Sequence, residues 1–138
     1  MELTPYLNFN GQCEEAFKFY ERCFGGKIAS MVTFEAFGQG ANVPAGWGTK
    51  IMHAHMTVGN QVLFGSDAPT DRFEKIQGFS MSIQVEQPAE AERVFGALAE
   101  KGNVTMPLQQ TGWSAKFGML TDQFGIPWMV NCAAAASA

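Results

Sequence analysis

Charged residues are scarce in this chain, and no part of it gathers charge of one sign. Asp, Glu, Lys and Arg make up 16% of the 138 residues, and the formal net charge is −4. The nine Lys and Arg residues are scattered, whereas nucleic-acid and anionic membrane surfaces need them clustered. No apolar run approaches the roughly 18 residues of a membrane span. We therefore expect no nucleic-acid partner and no membrane partner.

Cysteine is equally sparse. Cys13, Cys23 and Cys132 are odd in number and lack metal-ligand spacing, so we interpret them as free thiols of a reducing compartment. Cys13 lies where the first turn of a helix is expected, which makes it the one candidate for a reactive thiol. The N-terminal residues are acidic where a secretory signal would be basic. These features predict a cytoplasmic protein.

The hydrophobic pattern runs twice through the same order of elements. Each pass has a strand, an amphipathic helix that stops at glycine, and further strands. The first pass predicts a strand over 3–9, a helix over 12–24, and strands over 27–37, 51–58 and 61–64. The second predicts a strand over 79–85, a helix over 88–101, and strands over 104–108, 115–121 and 127–132.

This repeat predicts an α+β fold made of two βαβββ modules in a single domain over 1–138. Module one covers about 1–67, module two about 78–132, and the tail over 133–138 carries no core pattern. Each helix should cover one side of its sheet, so the other side must be filled or must bind something. The alternative is an unrepeated ferredoxin-like α+β fold.

Several stretches carry a family resemblance. The Tyr6–Gly11 segment, Phe24-Gly25-Gly26, Val104-Thr105-Met106-Pro107-Leu108 and Asp122-Gln123-Phe124-Gly125-Ile126-Pro127-Trp128 resemble the PhnB-like branch of the vicinal oxygen chelate superfamily, which groups glyoxalases, bleomycin-resistance proteins and dioxygenases. The resemblance implies paired βαβββ modules that form a glyoxalase-like half-barrel cleft, and commonly a homodimer. Members are often labelled demethylubiquinone methyltransferases. The residues do not support that label, since no helix pattern follows Gly38-Gln39-Gly40.

Metal-dependent relatives place His or Glu at four positions, one on the first and one on the last strand of each module. By spacing, these positions fall at Pro5 or Tyr6, near 64–66, at Ser80 and at Met129. None is a histidine or a carboxylate, and a serine and a thioether do not hold a hard divalent cation. We therefore predict no metal at these positions and no cofactor.

The two histidines, His53 and His55, share one face of a predicted strand, opposite Met52, Ala54 and Met56. Three interpretations stay open: a two-ligand metal site, contact with a ligand or proton transfer, and ordinary hydrogen-bonded histidines. Two imidazoles rarely suffice for a metal. An imidazole is the side chain that exchanges a proton near neutral pH.

Other candidate ligand contacts follow from the same alternation. They are Tyr6 and Asn8 on the first strand, Ser80 and Ser82 (with Gln84) on the strand that opens module two, and Trp113 and Phe117 at the entry of a later strand. For the aromatic residues, a place in the core is the commoner outcome. Trp47 could belong to a lid, a dimer contact or a loop anchor.

No catalytic pair of carboxylates stands out. Glu35 and Asp67 flank strands, the other acids fall mostly on helix surfaces, and nucleophile-elbow and P-loop motifs are missing. Two functions remain open. One is a module that binds a small organic ligand without chemistry, and the other is a metal-assisted or histidine-dependent enzyme of the isomerase or lyase type.

Overall fold

The computed structural model describes residues 1–134. Within it, the chain forms two compact units, one from Met1 to Glu74 and one from Lys75 onward. Each unit contains one α-helix and one four-stranded sheet. The predicted α+β class with two βαβββ modules is confirmed.

The first unit begins with a short strand and a helix. Its elements are β1 (Tyr6–Phe9), α1 (Cys13–Phe24), β2 (Lys27–Thr33), a single 3₁₀ turn (Gly40–Asn42), β3 (Ile51–Val58) and β4 (Gln61–Asp67). The strand order is β1-β4-β3-β2. β1 runs parallel to β4, and the other two pairs are antiparallel. The Gly59-Asn60 hairpin sets the register between β3 and β4.

The second unit repeats this order. Its elements are β5 (Met81–Val85), α2 (Pro88–Leu98), β6 (Asn103–Gln109), β7 (Ser114–Thr121) and β8 (Pro127–Ala133). The strand order is β5-β8-β7-β6, with β5 parallel to β8. A turn over 122–125 joins β7 to β8, since Gly125 donates its amide to the Asp122 carbonyl at 3.0 Å and has φ +91°.

One face of each sheet lies under the helix of the same unit. α1 contacts β2, β3 and β4, and α2 contacts β5, β7 and β8. Phe17 of α1 packs so closely on Gly65 that a β-carbon there would lie 2.6 Å from its ring. Phe95 of α2 packs on Gly118 in the same way, at 2.7 Å. We call the opposite side of each sheet its open face.

Several boundaries differ from the prediction. β1 begins at Tyr6 rather than at position 3, because Pro5 has no amide hydrogen to donate to a ladder. β5 begins at Met81, after Gly78 turns the chain with φ +82°. α2 ends at Leu98, and a turn carries the chain to Gly102. β8 includes Ala133, the first residue of the predicted tail, while 135–138 lie outside the described residues.

β6 lies at the edge of the second sheet and carries Pro107. Its register with β7 shifts between Val104 and Met106 and again between Met106 and Gln109. Proline is tolerated in such an edge strand because the backbone groups on its outer side pair with no neighbouring strand, so no hydrogen bond is lost there. The predicted strand over 104–108 is therefore confirmed as an irregular edge strand.

Candidate functional site

The open face of the first unit carries the side chains that alternate with its buried ones. Leu7 and Ala54 point toward α1 and are 2% and 0% exposed. Because strand side chains alternate between faces, their neighbours on β1, β3 and β4 lie on the other side. We call this set the first open face, and it consists of Tyr6, Asn8, His53, His55, Phe64 and Ser66.

Phe64 lies at the centre of this set. It pairs with Tyr6 on one side and with His55 on the other. Its ring centroid lies 6.2 Å from that of Tyr6, 5.0 Å from that of His53 and 5.1 Å from that of His55. These aromatic and imidazole rings therefore form one cluster across three strands.

Tyr6 and His53 are joined by a hydrogen bond. The phenol oxygen lies 3.2 Å from His53 Nδ1, and the two ring centroids are 5.7 Å apart. Tyr6 remains 45% exposed. With hydrogen on Nδ1, the imidazole donates to the phenol and leaves Nε2 as an acceptor. With hydrogen on Nε2, the phenol donates to Nδ1, and the imidazole offers a donor instead.

His55 has a different environment from His53. Its Nε2 is buried and has no hydrogen-bond partner among residues 1–134, and its ring meets Phe64 edge-on at 88°. An unsatisfied buried polar atom costs about 1–3 kcal/mol. The two histidines of the His-x-His pattern therefore share a face but not a hydrogen-bonding state.

Asn8 and Ser66 form a second polar pair on the same face. The Ser66 hydroxyl donates to Asn8 Oδ1 at 3.3 Å. This bond uses the carbonyl of the Asn8 side chain and leaves its NH₂ group directed at solvent, since Asn8 is exposed. The first open face therefore offers the Asn8 NH₂ group as a hydrogen-bond donor beside the ring cluster.

The open face of the second unit carries a row of hydrogen bonds instead. Ser114 Oγ bonds to Asn131 Oδ1, Asn131 Nδ2 donates to Gln84 Oε1 at 2.7 Å, and Gln84 Nε2 donates to Ser82 Oγ at 3.0 Å. All donors in this row point the same way. The Ser82 hydroxyl ends the row, so its hydrogen is free for a further acceptor.

The remaining predicted contacts of the second unit lie around this row. Phe117 pairs with Asn131 on β8, and the Trp113 ring lies 6.2 Å from it, just before β7 begins. Trp113 is 70% exposed, so it is not a core residue. Ser80 precedes β5, whereas Ser82 lies within that strand.

Sequence reasoning missed three polar or aromatic members of these faces: Phe64 as a ring contact, and Ser114 and Asn131 as hydrogen-bonding partners. The alternation of Gln61–Asp67 behind the Gly59-Asn60 hairpin could have identified Phe64. For Ser114 and Asn131, the signal lies in the cross-strand register with β5, which joins residues far apart in sequence.

The residues at the four family positions do not fit a divalent cation. The register pairs Tyr6 with Phe64, and in the second unit it pairs Met129 with Ser82 rather than with Ser80. A phenol, a phenyl ring, a hydroxyl and a thioether supply neither the imidazoles nor the carboxylates that such an ion needs. Residues 1–134 hold no cluster of three or more His, Cys, Asp or Glu side chains.

Two carboxylates that could have been catalytic instead hold backbone segments together. Asp67 is 3% exposed and accepts hydrogen bonds from the amides of Cys13 and Ile51, both at 2.9 Å. Burial raises the pKa of Asp67, while its backbone hydrogen bonds and nearby Lys50 oppose the shift. Asp122 accepts from the amide of Ile126 and from the indole of Trp128. Both are structural.

Packing bears on two other sequence hypotheses. The Cys13 thiol is fully buried, and burial, followed by the nearby carboxylates of Asp67 and Glu14, raises its pKa far above the ordinary range. It is therefore not a reactive thiolate. The Trp47 ring lies 3.6 Å from where a β-carbon on Gly11 would stand, a contact that a loop anchor would make, while a lid and a dimer contact stay predictions.

The fold defines the class of protein. A glyoxalase/bleomycin-resistance/dioxygenase domain from Frankia shares it, with a TM-score of 0.64 at 13% identity over 97% of this chain and 98% of that one. The profile of the family described as 3-demethylubiquinone-9 3-methyltransferase matches residues 1–131. The chain belongs to this family, and its resemblance to the PhnB-like branch of the vicinal oxygen chelate superfamily is confirmed.

Three relatives are similar over nearly their whole length. Protein PA1353 from Pseudomonas aeruginosa is 48% identical, with a TM-score of 0.87 over 96% of this chain and 98% of that one. The PhnB protein from Bacillus cereus is 30% identical, with a TM-score of 0.81 over 96% and 100%. Protein YjdN from Escherichia coli K12 is 34% identical over 139 residues, or 95% of each chain.

The family description names a methyl transfer, which would require a methyl donor such as adenosylmethionine. Gly38 and Gly40 lie in the loop after β2, and only a three-residue 3₁₀ turn follows them. Parallel pairing within residues 1–134 is confined to β1–β4 and β5–β8. A strand, glycine-rich turn and helix in a parallel sheet would be needed for the usual nucleotide site, so these residues do not fit that donor.

No helix among residues 1–134 has both the length and the apolar character to cross a membrane.

Proposed function

We propose that this protein binds a small organic molecule on the first open face. The observation that carries the proposal is the Tyr6–His53 hydrogen bond, which places a phenol and an imidazole together in a partly exposed ring cluster. Binding sites typically combine apolar surface with a few polar groups that fix orientation. Here the Phe64 ring supplies the surface, and Tyr6, His53 and Asn8 supply the polar groups.

The ligand of this face is flat and has no strong charge. The six residues of the first open face include no Lys, Arg, Asp or Glu, so nothing among them compensates a buried ionic group; Lys27, on the same side of the sheet, pairs with Thr57 at the end of β3. Edge and face contacts with aromatic rings favour a conjugated ligand. The outward NH₂ of Asn8 favours a carbonyl or similar acceptor on it.

For the second open face, the same proposal assigns contact to Ser82, with Trp113 and Phe117 as stacking surfaces. The one-way row of hydrogen bonds leaves the Ser82 hydroxyl as a donor. Ser80 stays a proposed contact only at the margin, since it lies outside β5.

A second function is favoured by the same pair of residues. In the tautomer with hydrogen on Nδ1, His53 Nε2 can take a proton from a carbon next to a carbonyl and return it at another position of the same molecule. Tyr6 would hold the imidazole in that tautomer. This is the chemistry of a histidine-dependent isomerase. It needs no metal ion, and the residues at the four family positions do not fit one.

We also propose that the protein acts as a cytoplasmic homodimer. The three buried free thiols support a reducing compartment. The exposed Phe79 side chain, at 48%, supports an apolar contact between copies. Sedimentation at two protein concentrations tests the dimer directly.

The binding proposal is tested by equilibrium dialysis against a mixture of small metabolites, with mass spectrometry of the retained compounds. We expect wild type to retain a conjugated compound, and Tyr6→Phe, His53→Ala and His55→Ala to fold but retain it at least about tenfold less well. The exposed helix variant Glu15→Gln serves as the control. Equal retention by His53→Ala would refute the site, and failure of both histidine variants to fold would make the histidines structural.

Binding and catalysis are separated by repeating the incubation in D₂O. Proton transfer predicts that one compound gains deuterium with wild type and not with His53→Ala. Retention without any gain of deuterium supports the binding module and rules out the isomerase for that compound.

A further inference from the structure

A cavity of about 390 Å³ opens in the first unit, beside the loop between β2 and β3. This lies within the range of roughly 300–1,000 Å³ typical of small-molecule sites. Its walls come from three segments: the loop, the start of β3 and the chain after β4. The main lining residues are Phe34, Phe37, Val43, Met52, Pro69 and Arg72.

This cavity is lined by other residues than the first open face. Met52 and His53 are consecutive in β3, and the register with β2 shifts there, since Thr33 pairs with Ile51 and Val32 with His53. None of the cavity's lining residues belongs to the first open face. The cavity and the first open face can therefore be tested with different variants.

The inner wall is suited to a flat apolar body. Two phenylalanines, a valine, a proline and the polarisable thioether of Met52 supply it. Phe37 is 60% exposed at the mouth. A ligand lying against this ring would cover apolar surface that otherwise faces water.

The rim carries one positive charge. Among the lining residues only Arg72 is charged, and its guanidinium makes no ion pair or hydrogen bond within residues 1–134. Its backbone is fixed by a turn, because the amides of Arg72 and Phe73 both donate to the Pro69 carbonyl, at 2.8 and 2.9 Å. The planar guanidinium fork matches a carboxylate.

A second donor stands at the same rim. Asn42 Nδ2 donates to Gln39 Oε1, which occupies the carbonyl of the Gln39 side chain and leaves its NH₂ group without a partner within residues 1–134. An amide donor beside an arginine suits a two-oxygen acceptor. We propose that this cavity binds an aromatic carboxylate, with the ring among Phe34, Val43 and Met52 and the carboxylate at Arg72.

The test is calorimetric titration of the full chain with 2-naphthoate and with its neutral counterpart 2-naphthamide. We expect naphthoate to bind about fivefold more tightly, as an exposed ion pair allows. Arg72→Gln should remove this preference and leave naphthamide binding unchanged. Arg22→Gln, which removes the same charge from the exposed side of α1, is the matched control and should keep the preference.

A second variant tests the cavity itself. Val43 has an extended backbone, so Val43→Trp can be accommodated by the chain while its indole fills the space, and both compounds should bind more than tenfold less well. Wild type that binds neither compound, or a Val43→Trp protein that binds both as wild type does, would overturn the proposal. Naphthoate binding lost in His53→Ala but kept in Val43→Trp would move the ligand to the first open face, and the proposed function would survive while this inference would not.

Discussion

The two units place different side chains at equivalent positions of the same strand pairing. In the first, Tyr6 pairs with Phe64, which pairs with His55. In the second, Ser82 pairs with Met129, which pairs with Met119. The open faces therefore differ in chemistry, one built from rings and one from hydrogen-bonded amides and hydroxyls, while each helix keeps a phenylalanine seated on a glycine. The helix-covered side of each sheet keeps the same packing in both units, whereas the side chains of the open side differ between them.

The units also begin their helices differently. α1 has no capping side chain of its own, and Asp67 at the end of β4 accepts the Cys13 amide instead. α2 begins with Pro88, which has no amide hydrogen to satisfy. The first unit therefore depends on a buried long-range contact where the second depends on a local residue type.

The largest expected effect tests this dependence. Asp67→Ala should lower the free energy of unfolding by about 3 kcal/mol, because two buried amides lose their acceptor and a cavity remains. Urea denaturation measures the loss. Hydrogen exchange should show the Cys13 and Ile51 amides losing more protection than amides of β7 and β8.

Two further variants serve that experiment. Glu14→Ala, which removes an exposed carboxylate, should cost less than about 0.5 kcal/mol. Asp67→Asn tests the charge: the pKa of Asp67 is raised above its ordinary 3.8 by burial, so its contribution to stability is greatest below that pH and declines as the pH rises through the folded pKa. The asparagine variant should lack this decline. Equal loss of protection in both units would show instead that the chain unfolds as one.

A smaller loss of stability is expected when the packing that both units share, a helix phenylalanine on a sheet glycine, is disturbed. Gly65→Ala and Gly118→Ala should each cost about 2 kcal/mol, because the new β-carbon would lie 2.6–2.7 Å from Phe17 or Phe95. Gly96→Ala is the matched control, since it lies in α2 with nothing near its β-carbon position and should stabilise by about 0.5–1 kcal/mol. A neutral Gly65→Ala would mean that the helix of the first unit can shift away from its sheet.

The smallest effect has the opposite sign. His55→Met gives the first unit the residue that the second has at Met119, and it removes a buried nitrogen that lacks a partner. We expect stabilisation of about 1 kcal/mol together with weaker ligand binding, measured by thermal melting and by the dialysis experiment. The reciprocal Met119→His should destabilise by a similar amount. Loss of stability in His55→Met would show that the ring packing with Phe64 outweighs the unsatisfied nitrogen.

Much of the fold could be predicted from local patterns. Alternation identified the faces of His53 and His55, and the glycine after Phe24 marked the end of α1. Strand boundaries were predicted wrongly where the apolar pattern continues past a residue whose backbone restricts strand pairing. Leu3 continues the apolar pattern, but Pro5 has no amide hydrogen and can only accept, as it does from the Phe64 amide at 3.1 Å, and Leu3 is 92% exposed.

The open faces were harder to predict, for a physical reason. Alternation shows which residues share a side of one strand, but not which residue stands opposite on the next. The Tyr6–His53 contact spans 47 positions and the Asn131–Gln84 contact also spans 47, and both depend on register. Spacing therefore placed the third family position at Ser80, whereas the residue of β5 that pairs with Met129 is Ser82.

Pro107 has a consequence for how copies of this chain can meet. The second sheet has two edge strands, β5 and β6. A strand from another molecule that paired with β6 would meet Pro107, which has no amide hydrogen to donate, and two register shifts. Such an edge resists sheet-to-sheet growth and the aggregation that follows from it. Association between copies at this edge must therefore use side chains rather than a shared backbone ladder, which protects the chain while it folds.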